Sequence, residues 1–419
     1  MKNLLIQGGH GLAGTVRIQG AKNSVLLILA ATLLAGDVCT LYNVPHLADV
    51  DTAVQILRSI GAEVQVGQNT LAVAPPVLLH AAVPPSLMSA MRSSVFFLAP
   101  LLAVAGSASV SAPGGCPLGA RPIDIHLDGL SHMGAEVLQQ GDTVRLTAPH
   151  GLRGTDYTLR FPSVGATETM LLAAVTARGI SVIRNVATEP EIVDLAEFLS
   201  ACGAQITGAG TRTLRIQGVR ALHGAHHRVC ADRIAAATVL CAVAGCGGRV
   251  TITDCRVPHL SGTLRVLMRA GCAVRQQSLH RLTLVSPGQL RAAGTWYSAV
   301  YPGLPTDVMP LLAAALLRAQ GSVQLIDTVF GARFACAEGF AAMGAEVQLE
   351  KGTLTMRGVP ALHSAAAQAV DLRGGAALVL AALQAQGESC ITGTHHIARG
   401  YEDIAALFAP LGADIYWQD

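Results

Sequence analysis

One short phrase recurs six times along this 419-residue chain, and it restricts the fold more than any other feature. Each copy is an amphipathic run, then glycine, a small residue and the start of a hydrophobic strand. The copies read Ile60-Gly61-Ala62-Glu63-Val64, Met133-Gly134-Ala135-Glu136-Val137, Cys202-Gly203-Ala204-Gln205-Ile206, Ala270-Gly271-Cys272-Ala273-Val274, Met343-Gly344-Ala345-Glu346-Val347 and Leu411-Gly412-Ala413-Asp414-Ile415. Successive glycines lie 73, 69, 68, 73 and 68 residues apart. Chance does not keep such a register, so the chain is six supersecondary units of about seventy residues.

Each unit has the same anatomy. A second strand follows the phrase, as in Leu71-Ala72-Val73 or Leu282-Thr283-Leu284. After a loop comes a helix apolar nearly all round, at 24–35, 93–105, 167–178, 234–244, 308–319 and 376–385. Each stops at or near a glycine (Gly36, Gly106, Gly179, Gly247, Gly321, Gly387), a common helix stop. Next come a strand such as Ser181-Val182-Ile183, a loop, and an amphipathic helix with one apolar stripe, as with Ile404, Leu407, Phe408 and Leu411. A helix apolar on every face must be enclosed, whereas a striped one can cover the outside. The chain exceeds the roughly 250–300 residues at which a single core stops growing, so two domains are expected. Six enclosed helices then predict three per domain, wrapped by sheets and outer helices: an α/β, two-domain, inside-out barrel.

So many apolar helices also fit a membrane protein, and here composition matters. Hydrophobic residues make up 51% and charged residues 13%, against a usual charged share of roughly a quarter. The stretch 93–120 has no charge at all, but Pro100, Gly106, Pro113, Gly114 and Gly115 break it, leaving less than the ~20 residues a span needs. The opening Met1-Lys2-Asn3-Leu4-Leu5-Ile6-Gln7-Gly8-Gly9 does not read as a signal peptide. A cytoplasmic protein without a membrane span is expected. Its net charge of +2, with no Lys/Arg block, leaves no footprint for nucleic acid. The ten cysteines are scattered, with no CxxC, and nine of them read as small buried hydrophobes.

The unusual polar residues collect at two places in the unit. The first is the start of the enclosed helix: Ala21-Lys22-Asn23, Met91-Arg92, the run from Phe161 to Thr167, Asp232-Arg233, the run from Tyr301 to Asp307, and Asp371-Leu372-Arg373-Gly374-Gly375. Helix starts present free N–H groups and the positive end of the macrodipole, which suits an anionic ligand in a cleft between the domains. The second is the loop after the next strand: Pro113-Gly114-Gly115-Cys116-Pro117-Leu118-Gly119-Ala120-Arg121-Pro122, Phe330-Gly331-Ala332-Arg333-Phe334, and His395-His396-Ile397-Ala398-Arg399-Gly400-Tyr401. Arg121 would lower the thiol pKa of a neighbouring loop cysteine, which singles out Cys116. Plainer roles stand beside these. Lys22 and Arg92 also fit surface cations, Asp307 an N-cap, and Asp371 with Arg373 a local ion pair. His226-His227 and His395-His396 are adjacent pairs whose side chains should diverge, so neither predicts a metal site.

With those residues in place, the chain resembles the enolpyruvyl transferase family essentially end to end. The markers are Gly20-Ala21-Lys22-Asn23, the Cys116 loop at 113–122, Ser163-Val164-Gly165-Ala166-Thr167, Glu189-Pro190-Glu191-Ile192-Val193, the run from Tyr301 to Asp307, Asp371-Leu372-Arg373 and Arg399-Gly400-Tyr401-Glu402. The resemblance implies two domains of three units, residues 22–229 and residues 1–21 with 230–419, the first strands returning to the C-terminal domain. It implies transfer of the enolpyruvyl group of phosphoenolpyruvate to the 3′-hydroxyl of UDP-N-acetylglucosamine with release of phosphate, the first committed step of peptidoglycan synthesis. No cofactor and no metal is implied.

The same resemblance assigns residues. Cys116 would protonate the methylene carbon or form an adduct, and Asp307 would take the hydroxyl proton. Lys22, Asn23, Arg121 and Arg399 would hold the phosphate and carboxylate, Lys22 and Arg399 acting in catalysis as well. Arg92, Arg121, Pro122, Ile123, Asp124, Ile125, Ser163, Val164, Asp307 and Val329 would hold the nucleotide sugar, and Arg333, Asp371 and Arg373 would line the cleft. Departures from the family pattern fall at Val308-Met309-Pro310, Gly331-Ala332, Ala398 and Ala235. None removes a group named above; they bear on rate. The alternatives are the shikimate-pathway relative, which lacks the loop cysteine, and a catalytically silent binder of nucleotide sugars.

Overall fold

A computed structural model describes residues 2–79, 82–111, 123–141, 143–292 and 294–418. The recurring phrase has one geometry in all six places. Gly61, Gly134, Gly203, Gly271, Gly344 and Gly412 adopt φ between 80° and 112°, the left-handed region. At each, the glycine N–H donates back three residues and the next N–H donates back five. Gly61 thus bonds the Arg58 carbonyl and Ala62 that of Leu57; Gly412 bonds Ala409 and Ala413 bonds Phe408. This is a Schellman motif, which closes the amphipathic helix on its orphan carbonyls and turns the chain into the next strand. The repeat in the sequence is therefore a repeated helix stop.

The chain divides into two compact units. One contains the residues up to Gln19 and the stretch from Ala231 onward; the other contains the described residues between Gly20 and Cys230. Where the chain passes between them, Ala21 N–H donates to the Cys230 carbonyl at 2.8 Å and Asp232 N–H to the Gln19 carbonyl at 2.9 Å.

Each unit has its own apolar core. In the first, the helices Arg233–Cys246, Met309–Leu316 and Leu372–Gln384 pack on one another. Every residue from Ile234 to Gly245, from Met309 to Leu316 and from Arg373 to Gln384 is buried. Three four-stranded sheets and the striped helices Ser261–Arg269, Ala337–Ala342 and Ile404–Phe408 make up the remainder. In the second unit the inner helices are Lys22–Ala31, Leu98–Ala105 and Val164–Ala174, and the striped ones Ala48–Ser59, Asp124–His132 and Pro190–Ala201. Burial of each inner leucine or isoleucine contributes about 2 kcal/mol.

Five of the sheets repeat one scheme: an antiparallel trio flanked on one edge by a parallel strand. The first strands close the first unit. Asn3–Gly8 lies between Gly387–Thr392 and Asp414–Gln418, antiparallel to both, with Leu4 opposite Ile391 and Trp417. Leu12–Arg17 supplies the parallel edge of a second sheet, pairing Leu12 with Gly248 and Arg17 with Thr253.

Two inner helices open as 3₁₀ turns before they become α. The expected 93–105 is a 3₁₀ stretch, Arg92–Phe97, followed by Leu98–Ala105; the expected 308–319 opens as 3₁₀ at Thr306–Val308 and becomes α at Met309. The cause is proline. Pro100 and Pro310 lack the N–H that an interior turn needs, and only a first α-turn accepts them without loss. Among the described residues, no helix is long and apolar enough to cross a membrane.

Candidate active site

In the first unit the site is built around Asp307. This residue does not cap its helix: Pro305 holds the N-cap position and Asp307 lies inside the 3₁₀ turn. Its carboxylate is gripped by two guanidiniums. Arg333 Nη2 donates to Oδ1 at 3.1 Å and Arg373 Nε to Oδ2 at 3.2 Å. Both arginines are buried, at 1% and 4% exposure, while the Asp307 side chain keeps 26%. The acid is thus the part of the cluster open to a reactant, and the cations stand behind it.

Each arginine has its own support. Arg333 Nε donates to Thr306 Oγ1 at 2.9 Å, the Thr306 hydroxyl bonds the Asp327 carboxylate, and the guanidinium lies 4.7 Å from the Phe330 ring centre. Asp327 Oδ1 also accepts from the backbone of Val329 and Phe330, which fixes the turn bearing the exposed Val329. Burial opposes the charge of Arg373, but Asp307, Tyr401 and Asp232 outweigh it and hold the guanidinium above its ordinary value.

Asp371 and Arg373 do not form a local ion pair. Asp371 Oδ1 accepts from the backbone of Arg373 and Gly374 as an N-cap, and the Arg373 side chain points to Asp307 instead. Arg399 ends a 3₁₀ turn, Ile397–Arg399, and is half-buried. The neighbouring His395 and His396 do not diverge: their rings are 4.1 Å apart, because they sit in a turn and not on a strand.

The second unit carries the other predicted residues. Lys22 opens its helix and is buried, its ammonium 2.7 Å from Asp49, so it is no surface cation. Asn23 is exposed beside it. Behind them Asp194 accepts from the buried Ser24 hydroxyl and from the Cys230 N–H at 3.1 Å, with His227 Nε2 at 3.0 Å. Ser163 caps the helix Val164–Ala174 by accepting from Ala166 N–H at 3.3 Å, and Val164 is exposed. Gly165 lies against the His126 ring so closely that a Cβ there would stand 2.8 Å from it. The helix Asp124–His132 therefore starts beside that of Ser163, its N-cap being Ile123 and its first turn holding Ile125. Arg160 pairs with the exposed Asp124. Burial and the nearby Arg92 pull His126 down to about 4, so it is a neutral ring, bonded to Thr169 Oγ1 at 2.8 Å. Cys116, Arg121 and Pro122 lie outside the described residues.

The structure thus brings together Asp307, Arg333 and Arg373 in one unit. In the other it joins the starts of the helices bearing Asp124 and Ser163. Asp49, Asp194, Asp327 and Thr238 escaped the sequence reasoning. Thr306 and Tyr401 stood in quoted markers, but nothing in one sequence says which hydroxyl faces which guanidinium. Among the described residues, no group of three or more His, Cys, Asp or Glu side chains is arranged to hold a metal.

The fold and these sites define a class. The chain belongs to the enolpyruvyl transferase family: the family model described as EPSP synthase (3-phosphoshikimate 1-carboxyvinyltransferase) matches residues 6–407. Among its relatives, the UDP-N-acetylglucosamine 1-carboxyvinyltransferase 2 of Caldanaerobacter subterraneus subsp. tengcongensis is 40% identical over 415 residues, 99% of each chain. The UDP-N-acetylglucosamine 1-carboxyvinyltransferase of Magnetococcus marinus is 41% identical over 416 residues, again 99% of each. Among solved structures, the enolpyruvyl transferase NikO from Streptomyces tendae aligns with a TM-score of 0.88 at 27% identity, covering 100% of this chain and 99% of that one. An EPSP synthase from Acinetobacter baumannii aligns at 0.77 with 18% identity over both full chains, a likeness of fold alone.

Proposed function

We propose that this enzyme transfers the enolpyruvyl group of phosphoenolpyruvate to the 3′-hydroxyl of UDP-N-acetylglucosamine and releases phosphate. The observation that carries the reading is full-length likeness, at 40% and 41% identity, to two relatives bearing that enzyme's name. Asp307 supports it: a half-buried carboxylate, held in place by two guanidiniums and open on its other side, is placed to accept a hydroxyl proton. In the reaction, a proton adds to the methylene carbon of the donor and the sugar oxygen bonds to its central carbon. The hydroxyl proton passes to Asp307. The tetrahedral intermediate carries phosphate and carboxylate together; a methyl proton and the phosphate then leave, restoring the double bond. Cys116 is assigned the proton addition. Lys22, Asn23, Arg121 and Arg399 are assigned the anionic groups, and the residues around Asp124 and Ser163 the nucleotide sugar. The enzyme would act in the cytoplasm, in peptidoglycan synthesis.

Phosphate release that requires both phosphoenolpyruvate and UDP-N-acetylglucosamine is the expected result. No release from folded protein would overturn the reading, and activity with shikimate 3-phosphate in place of the nucleotide sugar would favour the alternative. Asp307→Asn keeps the size of the side chain and removes its basicity, so kcat should fall by at least about a hundredfold; because it also takes the counter-charge from the buried Arg333 and Arg373, the melting temperature should fall as well.

A further inference from the structure

Arg373 touches Asp307 through a single nitrogen, Nε, at 3.2 Å. That contact fixes one corner of the guanidinium, and its second anchor is the hydroxyl of Tyr401, 3.4 Å from Nη1. Tyr401 is 1% exposed, and the Arg373 guanidinium lies 5.9 Å from its ring centre. The same hydroxyl is 2.7 Å from Thr238 Oγ1, which is 2.8 Å from the Ile234 carbonyl.

The direction of each hydrogen follows from what the groups can do. A carbonyl only accepts, so the Thr238 proton goes to Ile234 and its oxygen must accept from Tyr401. The one proton of Tyr401 is then committed to Thr238, and its oxygen is left to accept from Arg373, which can only donate. The chain is therefore Arg373 to Tyr401 to Thr238 to Ile234, with both hydroxyl protons used.

Its members come from separate elements. Thr238 is on the inner helix Arg233–Cys246, Arg373 on Leu372–Gln384, and Asp307 precedes Met309–Leu316. Tyr401 follows the 3₁₀ turn that ends in Arg399. That loop is held close: a Cβ on Gly400 would stand 2.8 Å from Leu372, and Gln19 Nε2 donates to the Gly400 carbonyl at 3.2 Å.

We propose that Tyr401 is a positioning residue whose hydroxyl, braced by Thr238, orients Arg373 on Asp307 and ties the loop carrying Arg399 to the base. The proposal rests on the reading of Asp307 given above. A misplaced Arg373 would leave the sugar contacts assigned around Asp124 and Ser163 untouched and misalign the proton acceptor, so the effect belongs mainly in kcat.

Two measurements on the full chain test it. In ¹⁵N-arginine-labelled protein without ligands, the Arg373 Nε–H signal, assigned by its loss in Arg373→Lys, should be sharp in the wild type and broadened in Tyr401→Phe and Thr238→Val. In the paired-substrate assay, Tyr401→Phe should lower kcat on the order of tenfold and change KM for the nucleotide sugar by less than about twofold. Thr238→Val should act in the same direction, Thr238→Ser should recover most of that loss, and the double variant should be no worse than Tyr401→Phe, since both cut one chain. An unchanged Arg373 signal in Tyr401→Phe, a wild-type kcat, or a loss confined to KM would overturn the proposal. If Tyr401→Phe does not fold, Thr238→Val decides by the same criteria. If the wild type releases no phosphate, the reaction assignment fails, and the arginine signal alone decides the positioning.

Discussion

The cysteines show how much of a residue's chemistry is set by its surroundings. The nine described ones are free thiols, buried or half-buried. Burial pushes Cys246 up to about 12 and Cys255 and Cys272 up to about 11, so their thiolate is scarce at neutral pH. Cys116, in its Gly/Pro-rich loop beside Arg121, has no such sequence neighbourhood. Brief exposure to a thiol-alkylating epoxide such as fosfomycin should modify Cys116 first and stop phosphate release, and Cys116→Ser should abolish that inactivation. Continued inactivation of the serine variant would name another target. His126 gives a second prediction. Burial, then Arg92, lowers it from 6.5 to about 4, so below 6.5 the unfolded chain takes up a proton that the folded chain refuses. Stability is complete above that value and is lost as pH falls towards 4, by about 3 kcal/mol over the window. Urea midpoints measured across the window should fall in the wild type and fall less in His126→Gln.

Among elements, the six Schellman closures ask for glycine on one ground and differ on another. All need a left-handed φ, which costs an L-residue roughly 1–2 kcal/mol. At Gly412 an added Cβ meets nothing within 4 Å, whereas at Gly61 it collides with the Leu78 carbonyl. Gly412→Ala should therefore lower stability by about 1 kcal/mol and Gly61→Ala by distinctly more, as thermal melts would register. Equal losses would mean that the loop at Leu78 yields freely. The inner helices show where a pattern is readable and where it stops. Their apolar runs announced enclosure, because a helix without a polar face has nowhere else to go. The 3₁₀ openings at Arg92 and Thr306 were less visible, since they depend on where Pro100 and Pro310 fall within the first turn. One polar residue crosses the grain: Gln384 is buried among the inner helices, donating to the Ala314 and Leu380 carbonyls. It sits where a Cβ on Gly245 would strike it at 2.6 Å.

At the scale of the molecule, the first strands matter most, because the first unit is assembled from both ends of the chain. Asn3–Gly8 is an interior strand of one sheet and Leu12–Arg17 the edge of another. Removing residues 2–18 should leave the 231–418 stretch open to limited proteolysis while 20–230 persists as a protected fragment; protection of both would show that the sheets close without these strands. The sequence by itself determined the repeat, the enclosed helices, the helix stops and the candidate cations and acids. Each of these is written in local spacing: a period of about seventy residues, apolar faces, a glycine after a stripe. Only the tertiary structure decided that Asp307 is clamped and not a cap, that Lys22 is buried against Asp49, and that Tyr401 stands behind Arg373. These contacts join residues 26 to 66 positions apart. Their partners are chosen by how helices and sheets pack, and local spacing carries no record of that.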